Sequence, residues 1–260
     1  MVIGATASFF LFLGLYSWTS PIKFQEGLNC ELYFWSLRCL VVAAADFPFL
    51  PDLSSLVHLH HLEVRKEQSI TFWSPNEVTS PWKDAQSIYR LPPSLSTLKL
   101  HPILQLPDFS DFQSLLVLSI SGCLMPRMPD LSCLKWLHEL RLNDFPRLAE
   151  ILGLGELESL DFLQITMCNV IKQLHNLSKL RNLQHLELKH CAKLRALEGL
   201  KELDSLENVE IRYCMSMERL PVVPAFTELK TNWMAPEAPE HTIRSTVLGK
   251  RLQLWELWDE

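Results

Sequence analysis

Leu180-Arg-Asn-Leu183-Gln-His-Leu186-Glu-Leu188-Lys-His-Cys191-Ala-Lys-Leu194 is the stretch on which the reading of this chain turns. Its leucines fall at 180, 183, 186 and 188, so a spacing of three gives way to strict alternation. Alternation is the signature of a strand with one buried face. The same frame stands 23 residues upstream at Leu157, Leu160, Leu163 and Ile165, and 23 downstream at Leu203, Leu206, Val209 and Ile211. Further copies are Leu134-Leu137-Leu140-Leu142, Phe112-Leu115-Leu118-Ile120 and Leu56-Leu59-Leu62-Val64. Partial copies are Leu95-Leu98-Leu100, Leu37-Leu40-Val42 and, at the far end, Phe226-Leu229. The third anchor thus falls at 40, 62, 98, 118, 140, 163, 186, 209 and 229, in steps of 22, 36, 20, 22, 23, 23, 23 and 20.

Two more elements share the period. Five residues past the anchor stand Cys123, Phe145, Cys168, Cys191 and Cys214. A linker phrase recurs as Leu50-Pro-Asp-Leu53-Ser, Leu106-Pro-Asp-Phe109-Ser and Met128-Pro-Asp-Leu131-Ser. A strand this short cannot bury its face alone. Coils stacked side by side join such strands into one parallel sheet over a continuous core. At about 4.8 Å per strand, nine coils span roughly 40 Å. The return path carries its own apolar residues (Leu148 and Ile151, Ile171 and Leu174, Leu194 and Leu197, Met217 and Leu220). It is broader than a strand, so the stack is expected to curve with its strands inward. The expected fold is an α/β solenoid: a leucine-rich-repeat horseshoe with a curved parallel sheet of about nine short strands and irregular convex segments.

Composition agrees. The chain has 260 residues, 50 of them leucine, is 48% hydrophobic and 21% charged, and carries a formal charge of −6. Net acidity without a Lys/Arg cluster argues against nucleic acid as a partner. Seven cysteines, an odd number with no Cys-x-x-Cys pair, fit reduced thiols better than a disulfide scaffold. The repeat domain is placed at 37–234. The 36-residue step reads as an insertion over about 67–90, with Trp73, Pro75, Pro81 and Trp82. Residues 1–36 are an apolar segment read as a cap or a truncated start. Membrane anchoring through residues 2–18 is the alternative, though that run is marginal for a span. The tail, 235–260, breaks the repeat with prolines. Its residues Leu248, Leu252, Trp255 and Trp258 share one face of a possible helix.

The grammar resembles the leucine-rich-repeat region of plant intracellular nucleotide-binding disease-resistance receptors, especially those with a Toll/interleukin-like front domain. Leu186-Glu-Leu188-Lys-His-Cys191, Ile211-Arg-Tyr-Cys214, Leu118-Ser-Ile120-Ser-Gly-Cys123 and Leu91-Pro-Pro-Ser94-Leu95 carry the likeness. The nucleotide-binding loop of those receptors is missing: Gly249-Lys250 is followed by Arg251, with no glycine five residues before. The chain therefore looks like an isolated or truncated repeat region, without the receptors' nucleotide chemistry. The resemblance implies a cytoplasmic protein that recognises a pathogen effector or a host protein. It also allows the nucleotide-binding domain of another chain as partner.

No catalytic grammar emerges. There is no Gly-x-Ser-x-Gly elbow and no His-Glu-x-x-His, and no cofactor is called for. The cysteines at 168, 191 and 214 sit at equivalent places on parallel coils, so they point alike rather than converging on zinc. Small, weakly donating core residues are the better reading. His58, His60 and His61 read as a solvated polar face. What remains is the outward side of the strands. Arg141, Asn143, Gln164, Glu187, Lys189, His190, Glu210, Arg212, Tyr213 and Trp233 mix charge with aromatic rings, the composition of protein-binding surfaces. The expected function is a non-enzymatic protein-interaction module. The alternatives are a ubiquitin-ligase substrate receptor and a membrane-anchored receptor ectodomain. Joint charge reversal at Lys189 and Arg212 is expected to weaken binding without lowering the melting temperature.

Overall fold

The structure, a computed structural model, describes residues 37–44, 53–66, 90–101, 106–232 and 252–253. Nine strands follow the nine anchors: β1 (Cys39–Ala44), β2 (His61–Lys66), β3 (Thr97–His101), β4 (Val117–Ser121), β5 (Glu139–Asn143), β6 (Phe162–Thr166), β7 (His185–Lys189), β8 (Asn208–Arg212) and β9 (Glu228–Thr231). They form one parallel sheet in sequence order. Register matches anchor to anchor: Leu140 lies opposite Leu163, Leu163 opposite Leu186, and Leu186 opposite Val209. The chain is a leucine-rich-repeat solenoid.

Two sets of contacts enforce this register. The apolar residues at 134–142, 157–165, 180–188 and 203–211 that define the frames are all buried. They join with Leu148, Ile171, Leu194 and Met217 of the return path in one core. Removing a leucine of this kind costs about 2–5 kcal/mol. At the entry to the strands, one carbonyl accepts two successive N–H groups of the next coil. His138 O takes Asp161 and Phe162, Asp161 O takes Gln184 and His185, and Gln184 O takes Glu207 and Asn208, at 2.8–3.0 Å. A slip of one residue would turn every leucine to water and break this ladder.

The thiols sit where the strand ends. Cys123, Cys168, Cys191 and Cys214 are buried, as is Phe145. Cys191 Sγ donates toward Ile165 O of the preceding coil at 3.6 Å, and Cys214 Sγ toward Leu188 O at 3.8 Å. Burial pushes the Cys168 thiol up to about 12. Cys191 is raised by its hydrogen bond with Cys214 and by burial. Among the described residues no group of three or more His, Cys, Asp or Glu side chains is placed to hold a metal.

The return path needs glycine at particular points. Three coils start a short 3₁₀ turn from a left-handed residue: Gly153 (φ 75°), Asn176 (φ 61°) and Gly199 (φ 83°). Each meets the preceding coil closely. A Cβ on Gly153 would lie 2.3 Å from Ser132 N, one on Gly199 2.8 Å from Ser178 N, and one on Gly155 2.4 Å from Asn176 Cβ. At each contact (Ser132–Gly153, Gly155–Asn176, Ser178–Gly199) one coil presents glycine, because a Cβ there would run into backbone or side-chain atoms of the other coil. The repeated Pro-Asp phrase forms an Asx turn, with Asp108 Oδ1 accepting Ser110 N–H and Asp130 Oδ1 accepting Ser132 N–H.

Two features differ from the sequence reading. Phe226 is fully exposed and is not an anchor. The last coil has one residue fewer between its second anchor and its strand. Thr227 N–H bonds Pro224 O as Leu206 N–H bonds Leu203 O, so Thr227 takes the second-anchor place. It is buried there, with Oγ1 donating to Leu206 O at 2.6 Å. Second, Leu252–Gln253 are extended as β10, parallel to β9, with Leu252 opposite Leu229. The helix envisaged for the tail does not form at these two residues, because the sheet edge of β9 offers them backbone partners. The step from 229 to 252 is again 23. β2 pairs directly with β3, Leu62 opposite Leu98, across the 36-residue step. Leu53 N–H also bonds Arg90 O at 2.9 Å. The proposed insertion, apart from Arg90, and the apolar N-terminal segment lie outside the described residues.

Candidate functional site: the outward face of the sheet

Because the leucines of each strand face inward, the alternate residues face out. Arg141, Gln164, Glu187 and Glu210 form one row across β5–β8, and Lys230 extends it onto β9. Asn143, Thr166, Lys189 and Arg212 form a second row. The expected residues on β5–β8 are thus brought together, while Trp233 lies outside the described residues.

Their charges are paired mostly within a strand and linked across coils. Arg141 is ion-paired with Glu139 and donates to Gln164 Oε1 at 3.2 Å. Gln164 Nε2 passes the chain to Glu187 at 2.9 Å. Lys189 lies between Glu187 (2.7 Å) and Glu210 (3.3 Å), and Glu210 also holds Arg212 (2.8 Å). Burial works against the Glu187 carboxylate, yet the hydrogen bonds from Lys189 and Gln164 hold it below the ordinary carboxylate range. Burial likewise disfavours the Lys189 ammonium, and Glu187 and Glu210 outweigh it and raise its pKa. Reversing Lys189 would bring three carboxylates together, so the expectation of an unchanged melting temperature is withdrawn. Stability and binding would move together in that variant.

A third row lies where the strands end. Gly122, Asp144, Met167, His190 and Tyr213 are all left-handed, with φ between 53° and 66°. The turn lets the next residue, Cys or Phe, drop into the core. Its N–H is met by the next coil: Asp144 N–H donates to Thr166 O, Met167 N–H to Lys189 O, and His190 N–H to Arg212 O. Tyr213 N–H instead finds the side chain of Asn232, Oδ1 at 2.9 Å. Glycine would serve this backbone without strain, as at Gly122. A bulky residue there costs on the order of 1 kcal/mol. Met167 and Tyr213 nevertheless stand 45% and 44% exposed. His190 stacks on Tyr213 with ring centroids 4.5 Å apart.

The residues one place before each anchor were missed in the sequence. Phe162 carries the Arg141 guanidinium over its ring at 4.5 Å, and lies 6.2 Å from His185. Asn208 Nδ2 is 3.1 Å from His185 Nδ1. These three border a shallow dent of about 150 Å³ that Glu187, Glu210 and Lys230 also line. The strand alternation itself could have identified them, because anchor −1 is as outward as anchor +1. His60 and His61 lie at the edge of β2, His61 Nε2 3.7 Å from Glu63. No helix of the described residues is long and apolar enough to cross a membrane.

No protein-family description matches the chain, and no curated protein matches it. Among solved structures it is similar to the functional domain of InlJ from Listeria monocytogenes, a domain described as including a cysteine ladder. That match has 14% identity and a TM-score of 0.33, and covers 78% of this chain and 56% of that one. A leucine-rich-repeat protein of Leptospira interrogans is similar at 13% identity and a TM-score of 0.34, over 77% of this chain and 63% of that one. The chain thus spans less than two thirds of either.

Proposed function

We propose that the chain is a non-enzymatic protein-interaction module of the plant disease-resistance type, recognising an effector or host protein through the outward face of β5–β8 and acting in the cytoplasm. The observation that carries the interaction reading is the row Met167, His190 and Tyr213. The repeat requires the left-handed turn but not those side chains, and three large, partly apolar groups are kept there against their backbone preference. Strain of this kind is retained where a function uses it. Beside the row, the paired charges of Glu187, Lys189, Glu210 and Arg212 are already ordered, so their side chains lose little freedom on binding. The disease-resistance assignment rests on the sequence resemblance.

The test separates binding from folding. Met167→Asn and Tyr213→Asn put a residue that tolerates the left-handed region in place of one that does not. The double variant is expected to be at least as stable as the parent. In pull-downs from pathogen-challenged plant tissue, its capture of the specific partner should fall about ten-fold or more, as for interface anchors. Identical capture by parent and variant would remove this row from the site.

A further inference from the structure

The dent between β6, β7 and β8 is unbalanced in its hydrogen bonding. Glu187 on β7 lies opposite Glu210 on β8, and both line the dent. Every contact of either carboxylate runs through one oxygen. Glu187 Oε1 takes Lys189 and Gln164, and Glu210 Oε1 takes Lys189 and Arg212. The Oε2 atom of each has no hydrogen bond or ion pair among the described residues. Asn208 Nδ2 donates to His185 Nδ1 at 3.1 Å, which puts the imidazole proton on Nε2 and leaves Asn208 Oδ1 as a third open acceptor. The donors that line the same dent are that imidazole N–H and Lys230. Lys230 lies opposite Glu210, but its ammonium is held by Glu228 Oε2 at 3.4 Å. The Phe162 ring forms a wall, and the buried anchors Leu186 and Val209 form an apolar floor.

We propose that this dent receives an arginine side chain of the partner protein. The inference rests on the reading of β5–β8 as the interaction face, and it names what one part of that face binds. A guanidinium carries five N–H donors and no acceptor, the complement of three open acceptors. Its planar fork reaches oxygens on two strands about 4.8 Å apart. Its flat, weakly hydrated face packs on an aromatic wall such as Phe162, and its methylene stem covers the apolar floor. A lysine ammonium matches less well, because it is a compact and strongly hydrated point charge. Lys189 and Arg212 already balance the two carboxylates in charge. Selection therefore comes from charge-assisted hydrogen bonds to the open oxygens rather than from net charge.

The probe is N-acetylarginine methylamide, titrated into the isotope-labelled full chain. Nuclear magnetic resonance follows the backbone amides of β6–β8 and the side-chain amide of Asn208. The dissociation constant should be on the order of millimolar, as for one small side chain. The lysine analogue should bind at least about three-fold more weakly. The citrulline analogue, which trades charge and donors for a carbonyl, should bind at least about ten-fold more weakly. Glu210→Gln turns one open oxygen into a donor, and Asn208→Ala removes another acceptor while leaving the ion pairs in place. Each should weaken arginine binding about three- to ten-fold. Lys230→Met removes the lining cation and should tighten it about two- to three-fold. Lys201→Glu, on the return path, should stay within about two-fold. No saturable shift with arginine, equal affinity for arginine and citrulline, or parental affinity in both Glu210→Gln and Asn208→Ala overturns the proposal. The titration uses no partner protein, whereas the capture assay of Met167→Asn/Tyr213→Asn reads the strand-end row. A failed titration therefore removes the dent and leaves that row standing, and unchanged capture removes the row while arginine binding is still read here.

Discussion

Replacing Gly199 by Ala tests how the coils stack. Gly199 sits at φ 83°, and an added Cβ would lie 2.8 Å from Ser178 N and 2.9 Å from Ser178 Cβ in the coil before. Two costs add. A β-carbon in the left-handed region costs about 1–2 kcal/mol. Forcing a methyl into a packed contact costs about 1–3 kcal/mol. Gly199→Ala should therefore destabilise by about 2–5 kcal/mol, a sum of those two ranges. The neighbouring contact suggests the remedy. There Asn176 holds the left-handed place with a side chain, and Gly155 opposite it has none. Ser178→Gly removes the Cβ at 2.9 Å but not the backbone nitrogen at 2.8 Å, so it should relieve a fraction of the steric part of Gly199→Ala and leave the conformational part. The double-mutant cycle should show a favourable coupling of about 0.5–1 kcal/mol, a part of that steric cost. Urea denaturation followed by circular dichroism gives the four free energies. Amide hydrogen exchange should place the loss in the coils around residues 177–206, because each coil contacts only its neighbours. A Gly199→Ala protein within about 0.5 kcal/mol of the parent would refute the close approach. A double variant that loses the sum of the two single losses would refute the contact between the Ser178 Cβ and the added methyl.

The buried thiols and the shortened last coil give two more expectations. The Cys168 thiol is raised from an ordinary 9.0 to about 12 by burial, so the folded state keeps a proton that the unfolded state releases. Its contribution to stability is full below pH 9, declines by about 1.4 kcal/mol per pH unit above it, and is gone past pH 12. Denaturation midpoints should fall over that window and recover part of the loss in Cys168→Ala. An unchanged slope in that variant would argue against a buried thiol. In the last coil, Phe226→Ser should change stability by less than about 0.5 kcal/mol, as for an exposed site. Thr227→Ala should cost about 1 kcal/mol or more through the lost bond to Leu206 O. The opposite order in thermal melts would restore Phe226 as the anchor.

The leucine frames, the cysteine places and the outward rows all follow from one period, and they were readable because a one-residue slip exposes every leucine at once. The sequence by itself therefore determined the parallel stacking of coils near 23 residues apart, and which residues of β5–β8 face out. It did not reveal that the last coil has one residue fewer between its second anchor and its strand, because Phe226 fits the apolar pattern better than Thr227 does. Only the backbone ladder of the preceding coil, which positions the turn at Pro224–Thr227, made that choice. Nor did it reveal the pairing of Lys189 with two carboxylates, the stacking of His190 on Tyr213, or the place of Phe162 beneath Arg141. Apart from Lys189–Glu187 within β7, those contacts join residues of adjacent coils 21 to 23 apart, and which neighbours touch depends on side-chain direction across coils rather than on spacing along one. The left-handed row was hidden for a related reason. Met and Tyr carry no local preference for that conformation, so only the tertiary demand that the next residue enter the core puts them there.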